Sequence, residues 1–347
     1  MKGLRKYLTP FAPDQSGAVS VLYELGGIIV ICDAGGCTGN VCGFDEPRWF
    51  SRKSAVFSAG LRDMDAILGR DDRLVEKLTD AASKLEVSFA AVIGTPVPAV
   101  IGTDYRALER MSEKRIDLPI LTVDTDGMEL YDAGEEKAYL ALFQRFAKEK
   151  LPIEQGRIGV LGATPQDLSD LDAADKIREA LKNQEDASAN CYGMGDGLDE
   201  VKKASAAQKN LVLSPAALEA AKYLEKEFGT PYEVGYPVAG ELVPEMDYAG
   251  KKVLVVHQQV IANAIRDEIR SRTADNAEVV SASWFAMKRE LKKNGDVSLK
   301  EEEDYIELVE TGSWDVIFAD ECMKKMTPGF QGMFVDVPHF AVSGRLM

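Results

Sequence analysis

Three of the chain's five cysteines, Cys32, Cys37 and Cys42, fall within eleven residues. They stand in and just before the run Asp33-Ala34-Gly35-Gly36-Cys37-Thr38-Gly39-Asn40-Val41-Cys42-Gly43, at C-x4-C-x4-C spacing. Thiolates are soft ligands for iron and zinc. Glycines such as Gly35 and Gly36 let a backbone turn tightly and approach a bulky ligand. Zinc sites favour closer cysteine pairs with a second Cys or His pair downstream. None follows here, and the chain has only two histidines, His257 and His339. Iron–sulfur clusters are usually held by four thiolates. The loop offers at most three metal ligands, Cys37, Cys42 and Cys32. A further ligand has to come from Cys191, Cys322, an oxygen donor or a second subunit. The plainer alternative makes Cys32 a small buried hydrophobe at a strand end, with Cys191 and Cys322 as core packing.

Other chemistry has less support. There is no G-x4-G-K-[ST] phosphate loop, so the chain carries no signature for hydrolysing ATP itself. Gly193-x-Gly195-x-Gly197 reads as a turn capping a helix that runs to Ala207. No G-x-S-x-G elbow supports a hydrolase. His257 follows an apolar run and precedes Gln258-Gln259. There it is a candidate catalytic proton donor to a reduced substrate, or equally a hydrogen-bonded helix cap. His339, in Val337-Pro338-His339-Phe340, has apolar neighbours that favour a structural role.

These residues need strands and helices to place them. Short β-branched runs predict strands over Gly27–Cys32, Val87–Ile93, Leu118–Val123, Arg157–Leu161, Asn210–Leu213, Lys252–Val256, Ala277–Ser281, Trp314–Ala319 and Met333–Val337. Several, such as Ile28-Ile29-Val30-Ile31, are apolar on both faces, as parallel strands covered on both sides must be. Amphipathic stretches predict helices over Glu135–Lys150, Pro165–Asn183 and Pro215–Phe228, the last capped by Ser214. The expected fold class is α/β, with three Rossmann-like domains of parallel sheets flanked by helices. The polar breaks Lys148–Gln155 and Val243–Lys251 divide it into 1–150, which holds the cysteine loop, 151–247 and 248–347. Ligands of such sheets bind beyond the carboxyl ends of the strands.

Composition narrows the partners. The 347 residues carry 41 Lys and Arg against 57 Asp and Glu, a formal charge of −16. So acidic a chain repels phosphate backbones and anionic lipid, which argues against nucleic acid and membrane surfaces. Its longest weakly polar run, Phe89 to Gly102, is too short and too proline-broken to span a bilayer. Lys2, Arg5 and Lys6 precede no apolar segment, so the N-terminus does not read as a secretory signal. A cytoplasmic location, with reduced thiols, is the expectation.

The stretch Ile31-Cys32-Asp33-Ala34-Gly35-Gly36-Cys37 resembles the H-G-x-x-G-C segment of nitrogenase component 1 and its relatives, among them the dark-operative protochlorophyllide reductase and similar tetrapyrrole reductases. Ala55-Val56-Phe57-Ser58-Ala59-Gly60, followed by Ile67-Leu68-Gly69, resembles the family's V-F-G-G stretch and the helix after it. Thr95-Pro96-Val97-Pro98-Ala99-Val100-Ile101-Gly102-Thr103-Asp104 resembles its T-C-x-x-x-x-I-G-D-D segment. Gly193 to Ala204, Asn210-Leu211-Val212 and Tyr223-Leu224-Glu225 resemble its second domain. The likeness covers most of the chain and is weakest in the C-terminal third.

In the family the matching cysteine, here Cys37, binds an iron–sulfur cluster at a subunit interface. The chain departs from the pattern at three places. Pro96 stands where the family has a second cluster cysteine. Pro13 and Asp14 occupy the region of an earlier one, and Leu213-Ser214 that of the cysteine holding nitrogenase's active-site cofactor. Neither the eight-iron cluster nor a molybdenum cofactor is therefore expected, and Cys32 and Cys42 stand as replacement ligands. The resemblance implies a 4Fe-4S type of cluster and a P-loop iron–sulfur ATPase that docks and delivers single electrons. It also implies a homodimer, or a heterodimer with a paralogous chain, and a small-molecule substrate in a cleft. Two other readings stay open: a scaffold on which a cluster or cofactor is built, and an α/β binding protein that has lost its cluster.

Overall fold

The protein is described by a computed structural model covering residues 5–347; Lys2, used above to read the N-terminus, lies outside them. Among the described residues the strands form three wholly parallel sheets. The first comprises β1 (Ile28–Ile31), β2 (Ala55–Ser58), β3 (Ala90–Ile93) and β4 (Ile120–Val123), in the order β2-β1-β3-β4. The second comprises β5 (Glu154–Leu161), β6 (Ser188–Cys191), β7 (Ala207–Val212) and β8 (Tyr232–Val234), in the order β6-β5-β7-β8. The third comprises β9 (Lys252–Val256), β10 (Glu278–Ser283), β11 (Val297–Ser298), β12 (Val316–Ala319) and β13 (Met333–Asp336), in the order β11-β10-β9-β12-β13.

All nine strand runs read from the sequence hold strands. The four without such a signal, β2, β6, β8 and β11, are sheet edges. An edge strand has one hydrogen-bonding neighbour and fewer buried side chains, so its sequence lacks the doubly apolar run of a central strand. The sequence also predicts a single helix over Pro165–Asn183, and here the structure differs. It breaks into Pro165–Leu168 and Ala173–Glu185 around Ser169, which adopts φ 56°. Ser169 receives the chain's end: its hydroxyl accepts from the Phe340 amide (2.7 Å) and its carbonyl from that of Met347 (2.7 Å). Those long-range contacts leave no local trace.

Each sheet falls within one of the three stretches, but the apolar packing runs across them. One buried cluster joins Ile29, Ile31 and Ile93 of the first sheet to Leu161 and Val212 of the second. Another joins Val160 to Val253 and Phe318. Helix Asp14–Leu22 is buried along its whole length against helix Tyr131–Phe146. Two glycines permit the approach. A Cβ on Gly17 would lie 1.9 Å from the Tyr131 carbonyl oxygen, and one on Gly134 would lie 1.7 Å from that of Asp14.

Candidate functional site

In a doubly wound sheet, the loops after two neighbouring strands diverge where the strand order reverses, leaving a crevice at their carboxyl ends. In the first sheet that point lies between β1 and β3. The loop after β1 carries Cys37 and Cys42, and the loop after β3 carries Thr95. The Thr95 hydroxyl donates to the Cys32 carbonyl oxygen (2.6 Å).

Asp33, itself buried, clamps the loop. Its carboxylate accepts from the Thr38 amide (2.7 Å), the Thr38 hydroxyl (2.9 Å) and the Ser58 hydroxyl (2.6 Å) on β2. Gly35 takes φ 120°, which side-chain-bearing residues avoid, and starts the short helix Gly36–Asn40. A π turn, Val41–Asp45, follows directly and carries Cys42. Such turns are rare and recur at functional sites.

The three clustered cysteines part company here. Cys32 continues the alternation of β1 and packs with Ile28, Val30, Leu74 and Val92 on the sheet's outer face. Cys37 and Cys42 pack against the cluster on the opposite face, both half-buried. Cys32 is only 2% exposed, and burial pushes its thiol up to about 12. Strand alternation turns the Cys32 side chain away from the other two, the placement of the small buried hydrophobe that the sequence also allowed.

Cys37 and Cys42 are also held above the ordinary thiol value. Burial is the main cause for both, followed by Asp33 for Cys37 and by Glu46 for Cys42. Cys191 is buried at the end of β6, where burial raises its thiol to about 12, and Cys322 lies beyond β12. Among the described residues no three Cys, His, Asp or Glu side chains come together as a metal site. Among the described residues, therefore, Cys37 and Cys42 have no third Cys, His, Asp or Glu beside them as a metal ligand.

The surface at this end of the first sheet is apolar. Phe44 and Phe50 stand 75% and 78% exposed beside the cysteine loop. Helices Asp63–Leu68 and Pro96–Ile101, after β2 and β3, pack together and expose Met64, Ile67, Leu68, Val97, Val100 and Ile101. Monomeric proteins rarely leave so much apolar surface together in water. Next to it opens a cavity of about 1130 Å³, between the loop residues Asn40–Pro47, the strap Thr9–Pro13 and the tail Phe340–Gly344.

His257 lies at the corresponding crevice of the third sheet, but its ring is fully engaged. Nδ1 accepts from the Gln258 amide (2.9 Å) and Nε2 faces the Pro338 carbonyl oxygen (3.3 Å). The ring stacks on His339 at 4.2 Å between centroids. Burial, and then His339, holds it well below the usual histidine value. With Nδ1 accepting, the neutral ring carries its proton on Nε2, directed at the Pro338 carbonyl oxygen. These contacts are those of the hydrogen-bonded helix cap that the sequence equally allowed for His257.

Sequence reading missed the buried polar group beside it. His339 Nε2 lies 2.9 Å from the Tyr131 hydroxyl, which donates to Asp167 (2.5 Å). Glu135 accepts from Thr164 (2.6 Å), and burial followed by the Asp167 charge raises its carboxyl well above the usual range. These residues come from three distant segments, and only the mid-helix carboxylate Glu135, on the apolar face with Tyr139 and Leu142, left a local signal.

Residues 15–240 match the family described as nitrogenase component 1 type oxidoreductase. The chain belongs to that family. Among solved structures it is similar to nitrogenase Cp1 at pH 6.5, with TM-score 0.71, 13% identity, and coverage of 97% of this chain and 87% of that one. It is also similar to nitrogenase Cp1 at pH 5, with TM-score 0.69, 15% identity, and coverage of 98% and 85%. At such identities the likeness is one of fold. No curated protein matches the chain in sequence. Among the described residues no helix is long and apolar enough to cross a membrane.

Proposed function

We propose that this chain is the cluster-bearing component of a nitrogenase-like reductase. In this reading two chains, identical or paralogous, meet over their cysteine loops and hold one iron–sulfur cluster between them on Cys37 and Cys42. A P-loop iron–sulfur ATPase supplies electrons, and a small molecule in the cavity beside the loop receives them. The observation that carries the reading is the pairing of two half-buried thiols, without a third Cys, His, Asp or Glu ligand among the described residues, with an exposed apolar surface.

A four-iron cluster takes about four thiolates, so two loops related by a twofold axis supply the set. When bound, the cluster supplies one-electron transfer at low potential. The chain's own residues shape that site. Asp33 fixes the loop, and its negative charge disfavours an added electron. Thr95 ties the loop after β3 to the end of β1 at Cys32. The apolar surface, once covered, excludes water.

Anaerobic purification followed by iron and sulfide analysis, with electron paramagnetic resonance of the dithionite-reduced protein, tests this. A reduced-cluster signal is expected. Cys37→Ala is expected to lose most of the bound iron. Protein that takes up no iron and sulfide even on reconstitution would overturn the reading, and so would unchanged iron in Cys37→Ala.

A further inference from the structure

The cavity beside the cysteine loop has a one-sided chemistry. Asp45 is the only ionisable side chain among the described residues that line it. Much of the rest of its wall is apolar, with the rings of Phe11, Phe44, Phe50 and Phe340. Asp45 Oδ2 is engaged by the Ser16 hydroxyl (2.6 Å) and the Asn40 amide (2.6 Å), while no described donor reaches Oδ1.

Two more acceptors are stranded nearby. Gln166 donates through Nε2 to the Asp45 carbonyl (3.2 Å), and its Oε1 is buried without a partner. Gln15 Oε1 is likewise buried and unpartnered, 3.3 Å from where a Cβ on the lining residue Gly127 would sit. Neither glutamine lines the cavity, so the acceptor that faces it is the Asp45 carboxylate, whose free oxygen a ligand's N–H group would fill. A carboxylate or phosphate would meet Asp45 as a like charge, and no cation is among the described residues that line the cavity.

We infer that this cavity takes an apolar, ring-bearing molecule that presents an N–H donor, as an amine or N–H heterocycle, to Asp45, and that it rejects carboxylates and phosphates. The inference rests on the reading of the cavity as the substrate site and names the substrate's chemical class.

Three probes with one ring and different charge test it by calorimetry on the anaerobic, cluster-loaded protein: tryptamine, indole and indole-3-acetate. Tryptamine is expected to bind at least about tenfold more tightly than indole-3-acetate, with indole between them. Asp45→Asn, which keeps the side chain's shape, is expected to erase most of that preference. Ala341→Trp, which fills the cavity, is expected to abolish binding of all three, with circular dichroism confirming the fold. Indole-3-acetate binding as tightly as tryptamine overturns the inference, as does an undiminished preference in Asp45→Asn, or no binding by any probe. Iron content measured on the same samples separates the two claims. Lost selectivity with the cluster intact counts against the substrate class alone. Iron-free protein that still selects tryptamine counts against the electron-transfer reading alone.

Discussion

Strand alternation decides which thiols can do chemistry. Cys32 is locked in the outer face of the first sheet, whereas Cys37 and Cys42 stand half-buried on the other. In the metal-free folded protein, iodoacetamide is therefore expected to label Cys37 and Cys42 and to spare Cys32 and Cys191, as read by peptide mass spectrometry. The reacting species is the thiolate, and the Asp33 charge helps keep Cys37 protonated. Asp33→Asn is expected to speed alkylation of Cys37 several-fold at pH 8; an unchanged or slower rate would contradict that electrostatic assignment. His257 gives a second test. Its value is depressed in the folded state, so below the unfolded histidine value of about 6.5 the unfolded chain binds a proton that the native one refuses. The wild type's stability advantage over His257→Gln is thus expected to be fullest above pH 7 and to shrink as pH falls toward 5. Urea unfolding across that range measures it, and an advantage that grows toward pH 5 would contradict the buried neutral ring.

At the scale of elements, the cysteine loop inherits its position from two packing decisions: the reversal of strand order between β1 and β3, and the close pairing of helices Asp14–Leu22 and Tyr131–Phe146. Gly134→Ala forces a methyl group into the Asp14 carbonyl, so the helices must separate. A loss of about 2–3 kcal/mol is expected, read as a lower urea midpoint. A neutral result would mean that the contact is slack. Much of this scaffold is legible in the chain. Doubly apolar runs such as Ile28-Ile29-Val30-Ile31 mark central strands, and Pro215 with Ser214 marks a helix start that the structure holds. What escapes is whatever depends on distant partners: the edge strands β2, β6, β8 and β11, and the helix break at Ser169 held by the returning tail. The candidate site was half legible. Glycines and cysteines marked the loop, and Gly127 and Thr95 became part of the same crevice only through the fold. Sequence clustering left Cys32 open between ligand and buried strand-end residue because it carries no information about sheet faces until the strand's last residue is fixed. Tyr131, Asp167 and His339 meet from positions too far apart for any spacing rule.

For the whole molecule, charge and apolar surface pull in different directions. A net charge of −16 keeps copies apart in solution, yet Phe44, Ile67 and Val100 remain exposed at one end of the first sheet. Those forces reconcile if the apolar end is buried in a specific assembly, with a shared metal offsetting the repulsion. Salt screens the repulsion over about 10 Å at 0.1 M, so dimer formation is expected to strengthen as ionic strength rises to that level. The central claim is that two chains complete one cluster. It is tested most directly by multi-angle light scattering with iron analysis on the same anaerobic fractions, before and after chelation. The expected result is a dimer carrying about four iron atoms per pair of chains, which falls apart into monomers when the iron is removed. A monomer that retains its full complement of iron would contradict it.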